Sequence, residues 1–154
     1  MENSLENNKI NPLSDHLNVL LANYHIHYQK LRGCHWNVKG PHFFTLHLKF
    51  EELYVNAQLN IDALAERILT LGLLPYSTFT QYIKYSKLKE IDTVGMKDTD
   101  MVLAIMDDFS QLIEMEQLIM AISAQMGDDG TNDLLNTFMQ FKEKTSWMLR
   151  SFIA

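Results

Sequence analysis

The chain has 154 residues, 47% of them hydrophobic, with only six glycines and three prolines, which favours a single helical domain with a substantial core and excludes low-complexity structure. A net charge of −6 argues against electrostatic attraction to nucleic acid as the main activity. One cysteine excludes a disulfide framework, and without a membrane-spanning run or signal peptide in the sequence we expect a cytoplasmic protein.

The first predicted helix covers residues 12 to 37, where apolar residues recur at helical spacing. Asn11 and Pro12 suit its N-cap and first helical position. Residues 1–11 are predicted to form a short N-terminal extension, and residues 12–154 a single domain. The first sixteen residues contain three acidic residues and one lysine, and the sequence has no basic tail at Ala154. Binding to DNA is therefore not expected.

The second predicted helix runs from Pro41 to Leu71, because no further Gly or Pro interrupts a run of good helix formers. One of its faces is an ordinary core stripe, made of Leu46, Phe50, Leu53, Ala57, Ile61, Leu64 and Ile68. Another is predicted to face solvent and contains Thr45, Lys49, Glu52, Asn56, Asn60 and Arg67.

The remaining face of this helix mixes ligand-type residues with large apolar ones. It contains His47, Glu51, Asp62 and Glu66 beside Phe44, Leu48, Val55, Leu59 and Leu69. A second apolar face on an amphipathic helix usually meets another subunit. Ionisable groups set into such a face are costly to desolvate unless they are paired or bound to metal.

The spacing along this helix shows which residues can share an ion. His47 and Asp62 are fifteen positions apart, which separates them by about 22 Å and excludes a common metal within one chain. If two copies of the helix pack antiparallel about a two-fold axis near residues 54 and 55, His47 of one copy lies opposite Asp62 and Glu66 of the other. His35, just before the turn between the first two helices, is placed to fold back and join them.

The rest of the chain predicts a crossover and two more long helices. The crossover from Gly72 to Lys97 contains a short predicted helix, Thr78 to Ser86. Apolar residues from Val102 to Met126 mark the third long helix, and those from Leu134 to Phe152 mark the fourth. A crossover of this length lets the second and third bundle helices run parallel. The predicted fold is therefore all-α, a four-helix bundle with a short helix in the long crossover between helices 2 and 3.

Imidazole and carboxylate ligands without thiolate suit iron, zinc or manganese. Such a set leaves coordination positions open on iron, and a site that oxidises Fe(II) needs open positions. Cys34 is interpreted as a small buried hydrophobe rather than a ligand. No histidine follows His47, which excludes a site inside one bundle built on Glu-x-x-His pairs. The other histidines are interpreted as structural or surface residues, namely His16, His25, His27 and His42.

Several short sequence motifs give the chain a family resemblance. They are the run from His35 to Pro41 (HWNVKGP), Phe43-Phe44, Leu46-His47, Phe50-Glu51-Glu52-Leu53-Tyr54, Ile61-Asp62, Ala65-Glu66-Arg67, Thr131-Asn132-Asp133 and Trp147-Met148. Together they extend over nearly the whole chain, and they resemble the Dps family of miniferritins, the DNA-binding proteins from starved cells.

The resemblance implies that the subunit is a ferritin-like four-helix bundle. It also implies a hollow dodecameric shell with ferroxidase centres shared across two-fold interfaces. His35 and His47 would come from one subunit and Asp62 and Glu66 from its partner, with the family's additional carboxylate falling on Glu51. The shell would oxidise Fe(II), preferentially with hydrogen peroxide rather than dioxygen, and store ferric mineral. It would thereby protect against oxidative stress. Two alternatives stay open: a shell that binds zinc or another ion without turnover, and a DNA-compacting protein.

Three further residues have two interpretations each. Trp36 is interpreted either as an electron or radical relay beside His35 or as a packing residue. By resemblance, Asp128 and Asp133 are candidates to line a pore for iron entry. Alternatively, Asp128 is a turn residue and Asp133 a favourable charge near a helix N-terminus.

Overall fold

The computed structural model describes residues 11–154, which form five helices. They are α1 (Leu13–Asn37), α2 (Phe43–Thr70), α3 (Phe79–Tyr85), α4 (Asp98–Gln125) and α5 (Asp129–Ile153). The four long helices form the bundle and α3 lies in the crossover, which confirms the predicted fold class. Except for Asn11, the predicted N-terminal extension lies outside the described residues. In the part of the chain that is described, no helix is long and apolar enough to cross a membrane.

Local sequence signals account for the helix ends. The N-cap of α1 is Pro12, one residue later than predicted. The Asn11 side chain just before it accepts a hydrogen bond from the Leu13 N–H at 2.9 Å, a group that has no partner within the helix. At the other end of α2, Gly72 has a φ of 78°, a left-handed conformation that glycine adopts without a steric penalty. The N–H of Leu73 then reaches the carbonyl of Ile68 at 3.0 Å and closes a Schellman motif.

The bundle core consists of two apolar clusters. One surrounds the N-terminal half of α1 and the C-terminal half of α2, and the other surrounds the opposite halves. The predicted core stripe of α2 is buried, apart from half-buried Ile61. Asn60 is an exception to the predicted solvent face, because it is buried and lies near Tyr24 inside the bundle.

A polar layer that the sequence analysis did not predict lies in the bundle interior. Lys142 of α5 donates to Glu116 of α4 at 2.7 Å and to the Tyr24 hydroxyl of α1 at 2.6 Å. Tyr24 in turn donates to Glu116 at 2.7 Å. Burial raises the pKa of Glu116 and lowers that of Lys142, while their mutual attraction opposes both shifts.

A second ion pair joins α1 to α4. The two oxygens of Asp108 contact Lys30 at 2.6 Å and His27 at 2.9 Å, and all three residues are buried. Burial also lowers the pKa of His27, so the interpretation of this histidine as structural agrees with its position in the core. The buried carboxylates of α4 therefore have ammonium partners within the subunit.

Lys142→Met should destabilise the protein by about 3–5 kcal/mol, because it leaves Glu116 buried without its cation. The comparison is Lys144→Met, which removes an exposed lysine from the same helix and should change stability by only about 0.5 kcal/mol or less. Thermal and denaturant unfolding of the two variants measures the difference. Equal stability of both would show that the buried pair makes no such contribution.

Candidate metal centre

His35 and His47 lie against each other where α1 ends and α2 begins. Their rings stack with centroids 3.8 Å apart and planes inclined by 14°. The Nδ1 of His35 donates to the backbone carbonyl of His47 at 2.7 Å, and the Nδ1 of His47 donates to the carbonyl of His35, also at 2.7 Å. The His35 carbonyl belongs to the last turn of α1, where carbonyls lack partners within the helix. The pair therefore joins the two helices as well as orienting both rings.

These hydrogen bonds determine the protonation pattern of the neutral rings. A carbonyl oxygen only accepts, so each Nδ1 must hold a proton. Each Nε2 then keeps the lone pair that binds a metal ion. Backbone hydrogen bonds that hold the second ring nitrogen are the usual support of metal-binding histidines. The structure thus presents two Nε2 donors with fixed orientation.

Two aromatic rings that the sequence analysis did not place in the site pack on this histidine pair. Phe43 stacks on His47 with centroids 4.9 Å apart, and Tyr54 meets His35 edge to face at 5.3 Å. The Tyr54 hydroxyl also makes a long contact of 3.5 Å with Glu51. Helical spacing was the available signal, since Phe43 lies one turn before His47 and Tyr54 two turns after it.

The three carboxylates assigned to the site lie on the exposed face of α2. Glu51, Asp62 and Glu66 are all exposed, and so are the large apolar residues of that face. Phe44 is 81% exposed and Leu59 65%. Within residues 11–154, no three His, Cys, Asp or Glu side chains lie close enough to hold a metal ion. One subunit therefore presents the histidines and the Asp62–Glu66 pair as separate groups on one surface.

Trp36 follows His35 in sequence but points elsewhere. Its side chain is 57% exposed, and the guanidinium carbon of Arg32 lies 4.8 Å from its ring centroid. Neighbouring residues on a helix do not face each other, which explains why Tyr54 rather than Trp36 contacts the His35 ring. Cys34, on the other side of His35, is fully buried, and burial raises the pKa of its thiol to about 12. That thiol is neutral at physiological pH and packs as an apolar group.

The candidate pore residues have different environments. Asp128 caps α5 by accepting from the Thr131 N–H at 3.1 Å, and it pairs with Arg67 of α2 at 2.7 Å. Burial alone would raise the pKa of Asp128, but the hydrogen bonds from Thr131 and Arg67 lower it overall. Asp133 is exposed. The structure therefore gives Asp128 a capping role, while a pore role for either carboxylate stays a prediction.

Comparisons with known proteins agree on one family. A Ferritin-like domain model matches residues 14–154. The DNA protection during starvation protein of Brevibacillus brevis is 39% identical, over 89% of this chain and 91% of that protein. DNA protection during starvation protein 2 of Bacillus anthracis is 41% identical, over 89% and 93%. A Vibrio cholerae O1 DPS crystal structure, described as a ferritin-like diiron-carboxylate protein, has a TM-score of 0.89 at 41% identity and covers 92% of this chain and 89% of that one.

Asp128→Asn should remove a pH-dependent part of the stability. The pKa of Asp128 is lower in the folded protein than its usual value of about 3.9, so its charge stabilises the fold above that value and stops doing so as the pH falls through the folded pKa. Asparagine keeps the cap but loses the ion pair with Arg67. Unfolding measured from pH 6 down to about pH 2 should show the variant approaching the native protein in stability. A constant difference at all pH values would contradict this assignment.

Proposed function

This chain belongs to the Dps family of ferritin-like proteins, and from that premise we propose that it oxidises Fe(II) at centres shared between two subunits. The observation that carries the proposal is the His35–His47 pair with both Nδ1 atoms held by carbonyls, on the edge of an exposed face that also contains Asp62 and Glu66. Ferrous iron and its oxidant are the substrates.

The donor set suits iron as a substrate. Two neutral imidazoles and carboxylates bind Fe(II) and leave positions open for an oxidant. Asp62 and Glu66 are one helical turn apart, so both reach one site, and the longer Glu66 is able to bridge two ions. Glu51 supplies the additional carboxylate near the histidines. In this proposal the histidines bind and orient iron, while the carboxylates neutralise its charge as it becomes ferric.

A second copy of the chain completes the centre. Large apolar side chains on α2 are exposed in the single subunit, and burying them against another copy is the favourable change that would offset desolvation of the carboxylates between them. Antiparallel packing of two α2 helices about a two-fold axis brings the partner subunit's Asp62 and Glu66 to His47. Each pair of subunits then contains two centres.

We assign hydrogen peroxide as the preferred oxidant. It accepts one electron from each of two Fe(II) ions and, with two protons, becomes two waters. No hydroxyl radical is then released, so iron is stored and oxidative damage is suppressed by the same reaction. The ferric product would collect as mineral inside a hollow dodecameric shell in the cytoplasm. The net charge of −6 supports iron handling rather than DNA binding.

Glu66→Ala in an assembled shell should slow Fe(II) oxidation by peroxide at least about tenfold, because even the outer partners of metal ligands contribute that much. Fe(II) is added anaerobically, peroxide follows, and ferric absorbance is recorded. The matched control is Glu52→Ala, which removes an exposed carboxylate from the same helix outside the proposed centre. Equal slow rates in the native protein and both variants would leave a metal-binding shell without turnover.

Hybrid shells test whether the centres are shared. Shells built only of His47→Ala or only of Glu66→Ala subunits should oxidise Fe(II) slowly, whereas a mixed pair has one centre with all native ligands and one that lacks both His47 and Glu66. Random coexpression should therefore restore about a quarter of the centres. Ferric formation by the hybrids is compared with a mixture of the two separately assembled variants, which should stay slow. Absence of recovery in hybrids of confirmed mixed composition would show that the centre does not cross the interface.

A further inference from the structure

Tyr54 is an oxidisable ring in direct contact with the histidine pair. It meets the His35 ring at 5.3 Å, whereas in the described residues Trp36 makes no ring contact with His35. The other ring on the pair, Phe43, has no hydroxyl and is a far poorer electron donor than a phenol. Tyr54 is half-buried on α2. An electron leaving this tyrosine has the His35 ring as its first neighbour.

A positive charge covers the competing aromatic rings. The Arg32 guanidinium carbon lies 4.8 Å from the Trp36 ring centroid and 5.3 Å from that of Tyr28, and Gln29 holds the group by a hydrogen bond of 3.2 Å. Arginine stays charged at all relevant pH values. A cation over a ring stabilises its filled π system and so disfavours removal of an electron. Arg32 thus makes Trp36 and Tyr28 harder to oxidise.

Tyr54 has the opposite environment. No arginine or lysine covers its ring within the part of the chain that the structure describes, and its hydroxyl lies 3.5 Å from a Glu51 oxygen. A phenol loses its proton when it loses an electron, so a nearby carboxylate favours its oxidation. The Tyr28 ring centroid lies 6.0 Å from that of Tyr54. Because the Arg32 guanidinium lies over Tyr28 and makes it harder to oxidise, the radical stays on Tyr54.

We propose that Tyr54, and not Trp36, supplies the second electron when hydrogen peroxide reaches a centre that holds a single Fe(II). This inference rests on the proposed function. Fe(II) gives one electron and becomes Fe(III); Tyr54 gives one electron and its phenol proton, so that a neutral tyrosyl radical remains. Peroxide takes up the two electrons and two protons, the second from solvent, and becomes two waters. A later Fe(II) and a solvent proton return the tyrosine to its phenol form.

Electron paramagnetic resonance tests the assignment. The assembled protein is loaded anaerobically with fewer Fe(II) ions than centres, mixed with peroxide and frozen. The native protein should give a tyrosyl signal that narrows when ring-deuterated tyrosine is incorporated. The signal should be lost in Tyr54→Phe and retained in Trp36→Phe. The matched control is Tyr85→Phe, which changes an exposed tyrosine of α3 and should retain it too. In Arg32→Gln, a tryptophanyl contribution from Trp36 should appear.

The possible outcomes distinguish a failure of the Tyr54 assignment from a failure of the proposed function on which it rests. A tryptophanyl signal in the native protein, or an unchanged tyrosyl signal in assembled Tyr54→Phe, would overturn the assignment. Ferric iron formed without any protein radical would overturn it as well, while the proposed iron oxidation stood. If the native protein formed no ferric iron, the proposed function itself would fail. Tyr54→Phe removes only a hydroxyl with one long contact, so its fold and assembly should be native.

Discussion

The rigidity of one long helix is the constraint on which the proposed site depends. An α-helix cannot shorten the distance between its own residues, so His47 and Asp62 of one α2 stay about 22 Å apart whatever the rest of the subunit does. Large apolar side chains on the same face are exposed, which makes that face unfavourable in water. The proposed pairing with a second copy would remove both difficulties, because it would bury the apolar groups and bring the separated ligands together.

The histidine pair is the part of the proposed centre that a single subunit already holds in a fixed geometry. Each ring of the pair is held by the backbone carbonyl of the other residue, so orientation is set by two hydrogen bonds rather than by the metal. Such preorganisation lowers the entropic cost of binding an ion. The carboxylates of α2 are exposed and gain their fixed arrangement only if a partner closes over them.

The carboxylates in the bundle interior and those on the α2 surface differ in their cationic partners. Inside, Glu116 and Asp108 are paired with the ammonium groups of Lys142 and Lys30, so cations of the chain itself offset their charge. On the surface, Asp62 and Glu66 have no lysine or arginine partner among the described residues. The difference explains physically why an incoming cation would be attracted to the exposed face of α2 rather than to the core.

The sequence alone specifies the helices, because apolar periodicity, Asn11 and Gly72 are local signals that act within a few residues. It also determined that His47 and Asp62 cannot share an ion in one chain, since helical rise needs no tertiary information. The packing of the helices, and not the local sequence, buries Asn60, places Tyr54 rather than Trp36 against His35, and brings Lys142 to Glu116. Those contacts join residues on different helices, and their partners depend on how the helices rotate and pack, which spacing along a single helix does not specify.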